Sequence, residues 1–381
     1  MKKFLLPIFV FTLIVYFLTS AGNTPYDYFT RLADAFLHGR NYLTENPPWL
    51  NELIPAGENK FYIVHSPMPA IISIPFVLLF GASFPQQYIA HLIGAGIVVL
   101  TAKLAYLFNK DKKFVLWVTS LVGFGSIIWF LSAGGSSWYL GQITATFFLL
   151  AALVESLDKK RFFVIGIFLG AAYLSRLHTI LSLPLYIFLL KDELKNKSPV
   201  NLLLGILPFL SFYAAYNFLR YGVLWDKGYV LIPGLLEEPW HQKGLFHPSY
   251  ISRHLKIIFG ALPIVQATPP FLIPSWNGLA IWITTPAFIY SFKASFKKHE
   301  VKLSWLALLS IAIVVFSHGA TGFTQFGHRY AVDFYPFLIF LLIISLSKKK
   351  LKWHHWVLLI ISILVNLWGV IWINKFGWVS F

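Results

Sequence analysis

Long apolar runs alternate with short basic clusters from one end of this chain to the other, and no soluble core can absorb that many. Apolar stretches lie near 3–20, 86–108, 114–132, 140–156, 162–175, 178–190, 199–219, 277–292, 303–318, 331–347 and 356–373. An untilted span needs ~20 apolar residues, so several of these are short and their boundaries soft. Inside a bilayer every backbone N–H and C=O must be satisfied internally, which leaves helices as the natural reading of such runs. Composition agrees: 57% of the 381 residues are hydrophobic and 12% charged, where a soluble domain carries about 25% charged residues. The expected fold is therefore all-α and polytopic, a single membrane unit over 1–381 with about eleven transmembrane helices. Interfacial helices are expected in the outer loops, about 21–85 and 220–276.

The net charge of +16 does not point to nucleic acid, because the cations form no single patch. They cluster at Lys2-Lys3, Lys110–Lys113, Lys159–Arg161, Lys191–Lys197, Lys293–Lys302 and Lys348–Lys352, which together hold 19 of the 31 Lys and Arg. The positive-inside rule places all six on the cytoplasmic side only if Pro67–Gly81 does not cross. That segment holds three prolines in about fifteen residues, short for a span, and reads as a helix lying in or dipping into the outer interface. The expected location is the plasma (inner) membrane, with the N-terminus inside. Lys2-Lys3 and the apolar run to Ser20 resemble a signal peptide with Thr-Ser-Ala before Gly22, but the run exceeds the usual 7–15-residue core and reads as a retained anchor. Cysteine is absent, which excludes disulfides, thiolate metal sites and Cys nucleophiles.

Under this topology nine of the 15 acidic residues fall on the outer side: Asp27, Asp34, Glu45, Glu52, Glu58, Asp226, Glu237, Glu238 and Asp333. Outer loops of such length are uncommon unless functional. In the first, Pro25 and Gly39 bracket a stretch in which Phe29, Leu32, Ala33, Phe36 and Leu37 recur at helical spacing, giving a surface amphipathic helix. Asp27, in its first turn, is suited to act as a general base or hold a metal, or simply to cap the helix. Asp34, two turns on, shares its face; such a pair is more often a solvated face than a metal site. Glu52 and Glu58 sit in a polar turn with Pro55, Gly57 and Asn59 and read as solvated loop charges. His65, just before Pro67, is within reach of a phosphate or of water.

Arg176 and His178 interrupt an apolar stretch of about thirty residues, where charge is expensive and therefore usually functional or paired. Arginine binds phosphate through a fork of N–H donors; the plain alternative is snorkelling into the headgroups. Pro248–Ile264 combines Tyr250, Ile251, Leu255, Ile258 and Phe259 with Arg253, His254 and Lys256, an amphipathic helix with a basic face that would grip a lipid phosphate or meet headgroups generally. In Gln325–Asp333, Gly327 lets the chain turn, and Arg329 and Asp333 stand i, i+4, spaced to pair or to aim Arg329 at a phosphate.

With these residues in view the chain resembles the GT-C superfamily of integral-membrane glycosyltransferases, in the branch of protein O-mannosyltransferases and aminoarabinose transferases. The likeness rests on Ala33–Arg40, on His65-Ser66-Pro67-Met68-Pro69, on Leu174-Ser175-Arg176, on Arg220-Tyr221-Gly222 with Lys227-Gly228-Tyr229, and on Gly327-His328-Arg329-Tyr330. It implies sugar transfer from a polyprenyl-phosphate donor at the outer face to a protein, lipid or glycan acceptor. An acidic residue of the first outer loop would be the base, Asp27 or, since Tyr26 and Tyr28 flank a single Asp where relatives often carry a pair, Asp34. Arg176, His178, Arg253, Lys256, His328 and Arg329 would bind the donor phosphate, and Tyr28, His65 and Tyr330 would line the substrate pocket. A requirement for a divalent metal stays open. Such a donor is already activated, which fits the absence of a Gly-rich nucleotide loop. Two other classes remain: a lipid or polysaccharide flippase, though no inverted repeat is visible, and a polysaccharide polymerase or ligase.

Overall fold

The computed structural model describes residues 2–195 and 199–378. Lys197, the last of the Lys191–Lys197 cluster, lies outside them. The chain is mostly helical, with elements α1 (Lys2–Leu18), α2 (Tyr28–Leu37), β1 (Leu53–Pro55), β2 (Phe61–Ile63), α3 (Met68–Phe80), α4 (Gln86–Phe108), α5 (Lys112–Phe124), α6 (Ile128–Gly134), α7 (Ser137–Leu157), α8 (Phe162–Ser175) and α9 (Leu183–Leu189). There follow α10 (Val200–Tyr221), α11 (Ile251–Gly260), β3 (Ile264–Val265), β4 (Leu272–Ile273), α12 (Ile281–Thr284), α13 (His299–Phe316), α14 (Tyr335–Leu346) and α15 (Trp353–Gly369).

Among the described residues six helical stretches are long and apolar enough to cross a membrane: 86–108, 137–157, 200–221, 299–316, 329–346 and 353–375. α5 and α6, bent by 49° at their break, together make a seventh. α1, α3, α8 and the stretch 177–189 are apolar but shorter. The expected count of eleven is thus not reproduced as eleven full-length spans. The clearest departure is 277–292, where a continuous helix was expected. There α12 stops after four residues and a 3-10 helix, Pro286–Lys293, takes over. Pro286 explains it: Thr285, preceding proline, takes φ −145°, ψ 66° instead of helical angles. α3 runs 13 residues, about 20 Å at 1.5 Å per residue, too short for a core ~30 Å thick. One side of it packs on α2 while Leu78, Leu79 and Phe80 at its end are exposed.

Close helix approach depends on glycine. α8 and α10 cross at Gly166 and Gly205, where a Cβ on Gly166 would run into the Leu202 carbonyl oxygen and the Gly205 Cα. Small residues at such crossings let backbones touch where lipid offers no hydrophobic drive between helices. The segment Arg329–Leu346 is buried along its whole length and forms the centre of the bundle, whereas α15 and α10 present most of their surface outward.

The two ends of the bundle are chemically different. At one, Lys103 pairs with Asp158 at 2.9 Å, Lys160 with Glu193 at 3.4 Å, and Asn109 Nδ2 donates to the Ser347 carbonyl at 2.7 Å, so the basic loops meet there. At the other end Gln86 acts as a junction. Its Nε2 donates to the carbonyls of Gly135 (2.9 Å) and Tyr26 (3.2 Å), and its Oε1 accepts from the Phe29 N–H at 3.0 Å. The starts of α2, α4 and α7 are thereby locked together.

A candidate active site at the end opposite the basic loops

α2 forms where its periodicity predicts, with Phe29, Leu32 and Ala33 of the expected face buried beside Tyr28 and Ala35, Phe36 half-buried and Leu37 exposed, and with Gly39 in the left-handed region at φ +69° behind it. It starts later than Pro25, however, and Asp27 is its N-cap residue without a capping hydrogen bond. The Asp27 carboxylate instead accepts from Arg31 Nε at 2.7 Å, one helical turn away. Asp34 lies 3.5 Å from His38 Nδ1 and 3.8 Å from Arg40. Neither carboxylate belongs to the wall of the cavity described next.

That cavity, of about 1100 Å³, opens at the junction end and draws its wall from every outer segment, including residues near 22–26, 52–66, 134–139, 175–178, 226–246 and 318–330. Its carboxylate centre is Glu52. The β1–β2 hairpin, in register Leu53 with Ile63, brings the strand leading to His65 back beside it. Tyr28, buried behind, accepts the Glu52 backbone N–H on its hydroxyl at 3.0 Å. Glu52 Oε2 accepts from Trp138 Nε1 at 2.9 Å and from the Tyr229 hydroxyl at 3.4 Å. Oε1 has no protein partner among the described residues, so it is the oxygen left open. Burial pushes the Glu52 carboxyl up to about 7, against the pull of the Trp138 hydrogen bond, the Arg329 charge and the Tyr229 hydrogen bond.

His65 Nε2 stands 3.3 Å from Glu52 Oε2, yet it lacks the alignment of a hydrogen bond. Burial, with Arg176 and Arg329 nearby, lowers this imidazole to about 3, so it is neutral and the approach is not an ion pair. Its ring packs edge-on against Tyr28 at 4.9 Å.

The cations come from two turns. α8 ends at Ser175, and extended backbone at Arg176 (φ −150°, ψ 107°) turns the chain into the 3-10 helix Leu177–Ser182. Arg176 reaches Asp333 Oδ2 at 2.9 Å, and His178 Nε2 meets the same oxygen at 2.9 Å. Asp333 is fully buried and its Oδ1 has no partner among the described residues, while Arg176 stays partly exposed on the wall. The i, i+4 pair expected between Arg329 and Asp333 does not form. Residues 329–334 wind as a 3-10 helix, whose three residues per turn set positions four apart about 120° apart in direction.

Arg329 is 8% exposed. Among the described residues its side chain has no carboxylate partner, and its Nε is buried without a hydrogen bond. The guanidinium rests 4.9 Å from the Tyr330 ring. Gly327 is needed for close approach and not for a turn: a Cβ there would meet Ile127 at 2.5 Å. Leu279 donates to the Phe326 carbonyl at 2.9 Å and accepts from His328 N–H at 3.3 Å, which fixes the entry to Arg329.

Of the residues singled out in the sequence, Arg176, His178, Arg329, His65 and Tyr330 line the cavity. Asp27, Asp34, Tyr28 and His328 do not. His328 instead hydrogen-bonds His254 across 3.2 Å behind the wall. Arg253 and Lys256 line a separate hollow. Within α11 it is His254, Ile257 and Ile258 that are buried, while Leu255 and Phe259, assigned to the apolar face, are exposed. Glu52, read from the sequence as a solvated loop charge, and Trp138 and Tyr229 were not among the expected site residues, yet all three line the cavity. The signal available for Glu52 was the pair of apolar strands Leu53-Ile54 and Phe61–Val64 around Gly57, a hairpin that closes over the carboxylate. A resident divalent metal finds no ready donor set: among the described residues no three His, Asp or Glu side chains come together to hold one.

The chain is similar to the structure of ArnT from Cupriavidus metallidurans bound to undecaprenyl phosphate, with a TM-score of 0.53 and 12% identity over 96% of this chain. The apo structure of the same protein matches with a TM-score of 0.53 over 92% of the chain. The chain shares its fold with these structures. It spans 63% and 60% of the lengths of those two structures. No family model and no curated protein matches the sequence. Within that shared fold, then, the cavity at the end opposite the basic loops combines one carboxylate raised towards neutrality by burial with two arginines, one paired to a carboxylate and one not.

Proposed function

We propose that the protein is a membrane glycosyltransferase that moves a sugar from a polyprenyl-phosphate donor to a hydroxyl-bearing acceptor. The observation that carries this reading is that Glu52 and the uncompensated Arg329 share the wall of one cavity in a GT-C fold. A membrane-embedded donor phosphate needs a preorganised cation, because a buried guanidinium without a counter-ion is costly until an anion arrives. Arg329 supplies that charge. Arg176, held by Asp333, whose Oδ2 His178 also contacts, supplies N–H donors with less net charge. Both act on the charge that develops as the phosphate leaves.

Glu52 is assigned the base. Oε2 is held by Trp138 and Tyr229, so Oε1 takes the acceptor proton. The acceptor oxygen then forms its bond to the anomeric carbon while the bond from that carbon to the phosphate oxygen breaks. The products are the glycosylated acceptor, polyprenyl phosphate and a proton on Glu52. Asp27 and Asp34, each ion-paired within or beside α2, are assigned to holding that helix. Tyr28 positions Glu52 from behind, and His65 and Tyr330 face the substrate. The undecaprenyl phosphate of the ArnT complex supports a polyprenyl-linked donor. The gathering of basic loops at the opposite end supports a cytoplasmic end there and a site facing outward across the cell membrane.

The test is to incubate the purified protein in lipid vesicles with a radiolabelled polyprenyl-phosphate sugar and membrane extract. Label moving from the lipid to a new product, dependent on Glu52, supports the reading. Transbilayer movement of intact donor with no transfer would replace it with a flippase.

A further inference from the structure

Arg253 and Lys256 carry charge that the reaction cavity does not use. They line a second hollow of about 420 Å³ beside it, with Trp240, Trp276, Phe323 and Asn277. We propose that this hollow is an acceptor-side subsite that takes a negatively charged sugar. The inference rests on the transferase reading for its role, though not for its ligand chemistry.

Charge is the first argument. Among the described residues neither cation has a carboxylate partner. Arg253 is nevertheless fixed: its Nη1 donates to the Gly319 carbonyl at 3.0 Å, and its guanidinium sits 5.1 Å from the Tyr250 ring. The remaining guanidinium donors stay available. A held arginine beside a flexible lysine suits an anion whose orientation matters, since the planar fork loses little freedom on binding.

Shape is the second. Trp240 and Phe323 pack with centroids 4.9 Å apart and planes at 58°, and Trp276 meets the same Phe323 at 6.1 Å. Inclined rings give broad apolar faces of the kind that the C–H side of a pyranose covers, while its hydroxyls point to polar groups. Asn277 is such a group. Its Oδ1 accepts from Thr321 Oγ1 at 3.0 Å, which leaves the amide N–H donors aimed elsewhere. The volume falls within the range of roughly 300–1,000 Å³ found for small-molecule pockets.

Position is the third, and it favours an acceptor over a headgroup. Trp240 and Phe323 belong to both walls, so the two spaces are separated by one layer of rings. Trp240 Nε1 donates to Glu238 at 2.7 Å, and Glu238 lines the reaction cavity. A ligand anchored in the hollow is thus held beside the place where transfer would occur. The charge can be a phosphate or a carboxylate on the sugar.

The full-length protein, reconstituted in zwitterionic phosphatidylcholine nanodiscs, is titrated with glucose 1-phosphate, glucuronate and glucose by calorimetry, without donor. Saturable binding of at least one anion, weakened tenfold or more by the pair Arg253→Ala and Lys256→Ala but less than twofold by Arg329→Ala, supports the proposal. The tighter anion identifies the source of the charge. Lys256→Glu, at an exposed position, repeats the loss where the double variant does not fold. No saturable binding of either anion, equal binding of glucose, or binding abolished by Arg329→Ala and untouched at Arg253 and Lys256 overturns it. If the anion binds as expected while the wild type transfers no sugar from any donor, the transferase reading fails and the anionic-sugar site stands.

Discussion

The two long outer segments hold their polar groups in different ways. The first, from α1 to α4, is built into the bundle. α2 and α3 pack on each other, α3 also packs on α7 and α8, and the hairpin closes Glu52 and His65 against Tyr28 and Trp138. The second, from α10 to α12, is a succession of 3-10 turns, one ten-residue helix and a hairpin of two-residue strands, with Phe246, Val265, Phe271 and Trp276 exposed. Several of its polar groups are tied to backbone carbonyls, Arg253 to Gly319 and His254 to His318. Groups that do chemistry need rotamers locked by packing, whereas groups that recognise a partner tolerate a looser frame. The difference suits the proposed division, with the base in the first segment and acceptor recognition in the second.

The sharpest way to break that division is to compare two carboxylates of the same segment. Glu52→Gln should lower sugar transfer about 1,000-fold, within the 10²–10⁴ expected of a general base. Asp27→Asn should cost less than about tenfold, since it loses one partly exposed i, i+4 pair. Rates measured with the same radiolabelled donor check both. The reverse order would return the base to α2 and end the role given to the hairpin.

Asp333→Asn comes next in size, and it acts on stability. The substitution leaves Arg176 at the bundle's inner wall without its counter-charge, and breaking a buried pair costs about 3–5 kcal/mol. Denaturant unfolding in mixed micelles should show the loss, while Asp34→Asn, at the surface of α2, should stay within about 0.5 kcal/mol.

Arg329→Met should reduce kcat/KM for the donor about 100-fold, the loss typical of one preorganised charge donor. Arg253→Ala should leave the donor KM unchanged and raise only that of the acceptor. Equal effects of both on the donor would merge the cavity and the hollow into one site.

How far these assignments were readable beforehand follows from the range of the contacts that make them. The α2 face was legible because helical periodicity is local. Arg176 and Arg329 stood out because charge amid apolar sequence is rarely idle. Glu52 did not, since its burial depends on Trp138, 86 positions away, and Tyr229, 177 away. A polar turn gives no sign that distant rings will cover it. The Arg329–Asp333 spacing misled because it presumes 3.6 residues per turn, and the local winding is tighter. The break at Thr285-Pro286 was in plain view, yet an apolar run of that length outweighed a single proline.

The smallest expected effect tests the environment of Glu52 itself. Its carboxyl sits at about 7, well above the ordinary 4.5, so transfer should rise with pH and level off once the carboxylate form dominates, near neutrality. Trp138 donates to the ionised form and thereby lowers that value. Trp138→Phe removes the donor and should move the limb alkaline, by about half a unit to one unit for a hydrogen bond of about 1 kcal/mol. Stability should move in the opposite sense to activity. With its native value raised above the unfolded one, protonated Glu52 contributes stability below about pH 4.5 that is lost as pH rises through about 7. Glu52→Gln should flatten that decline in a thermal-melt series between those limits. A limb that Trp138→Phe leaves in place, or moves acid, would mean that another group sets it, and the first segment would lose its claim to the chemistry.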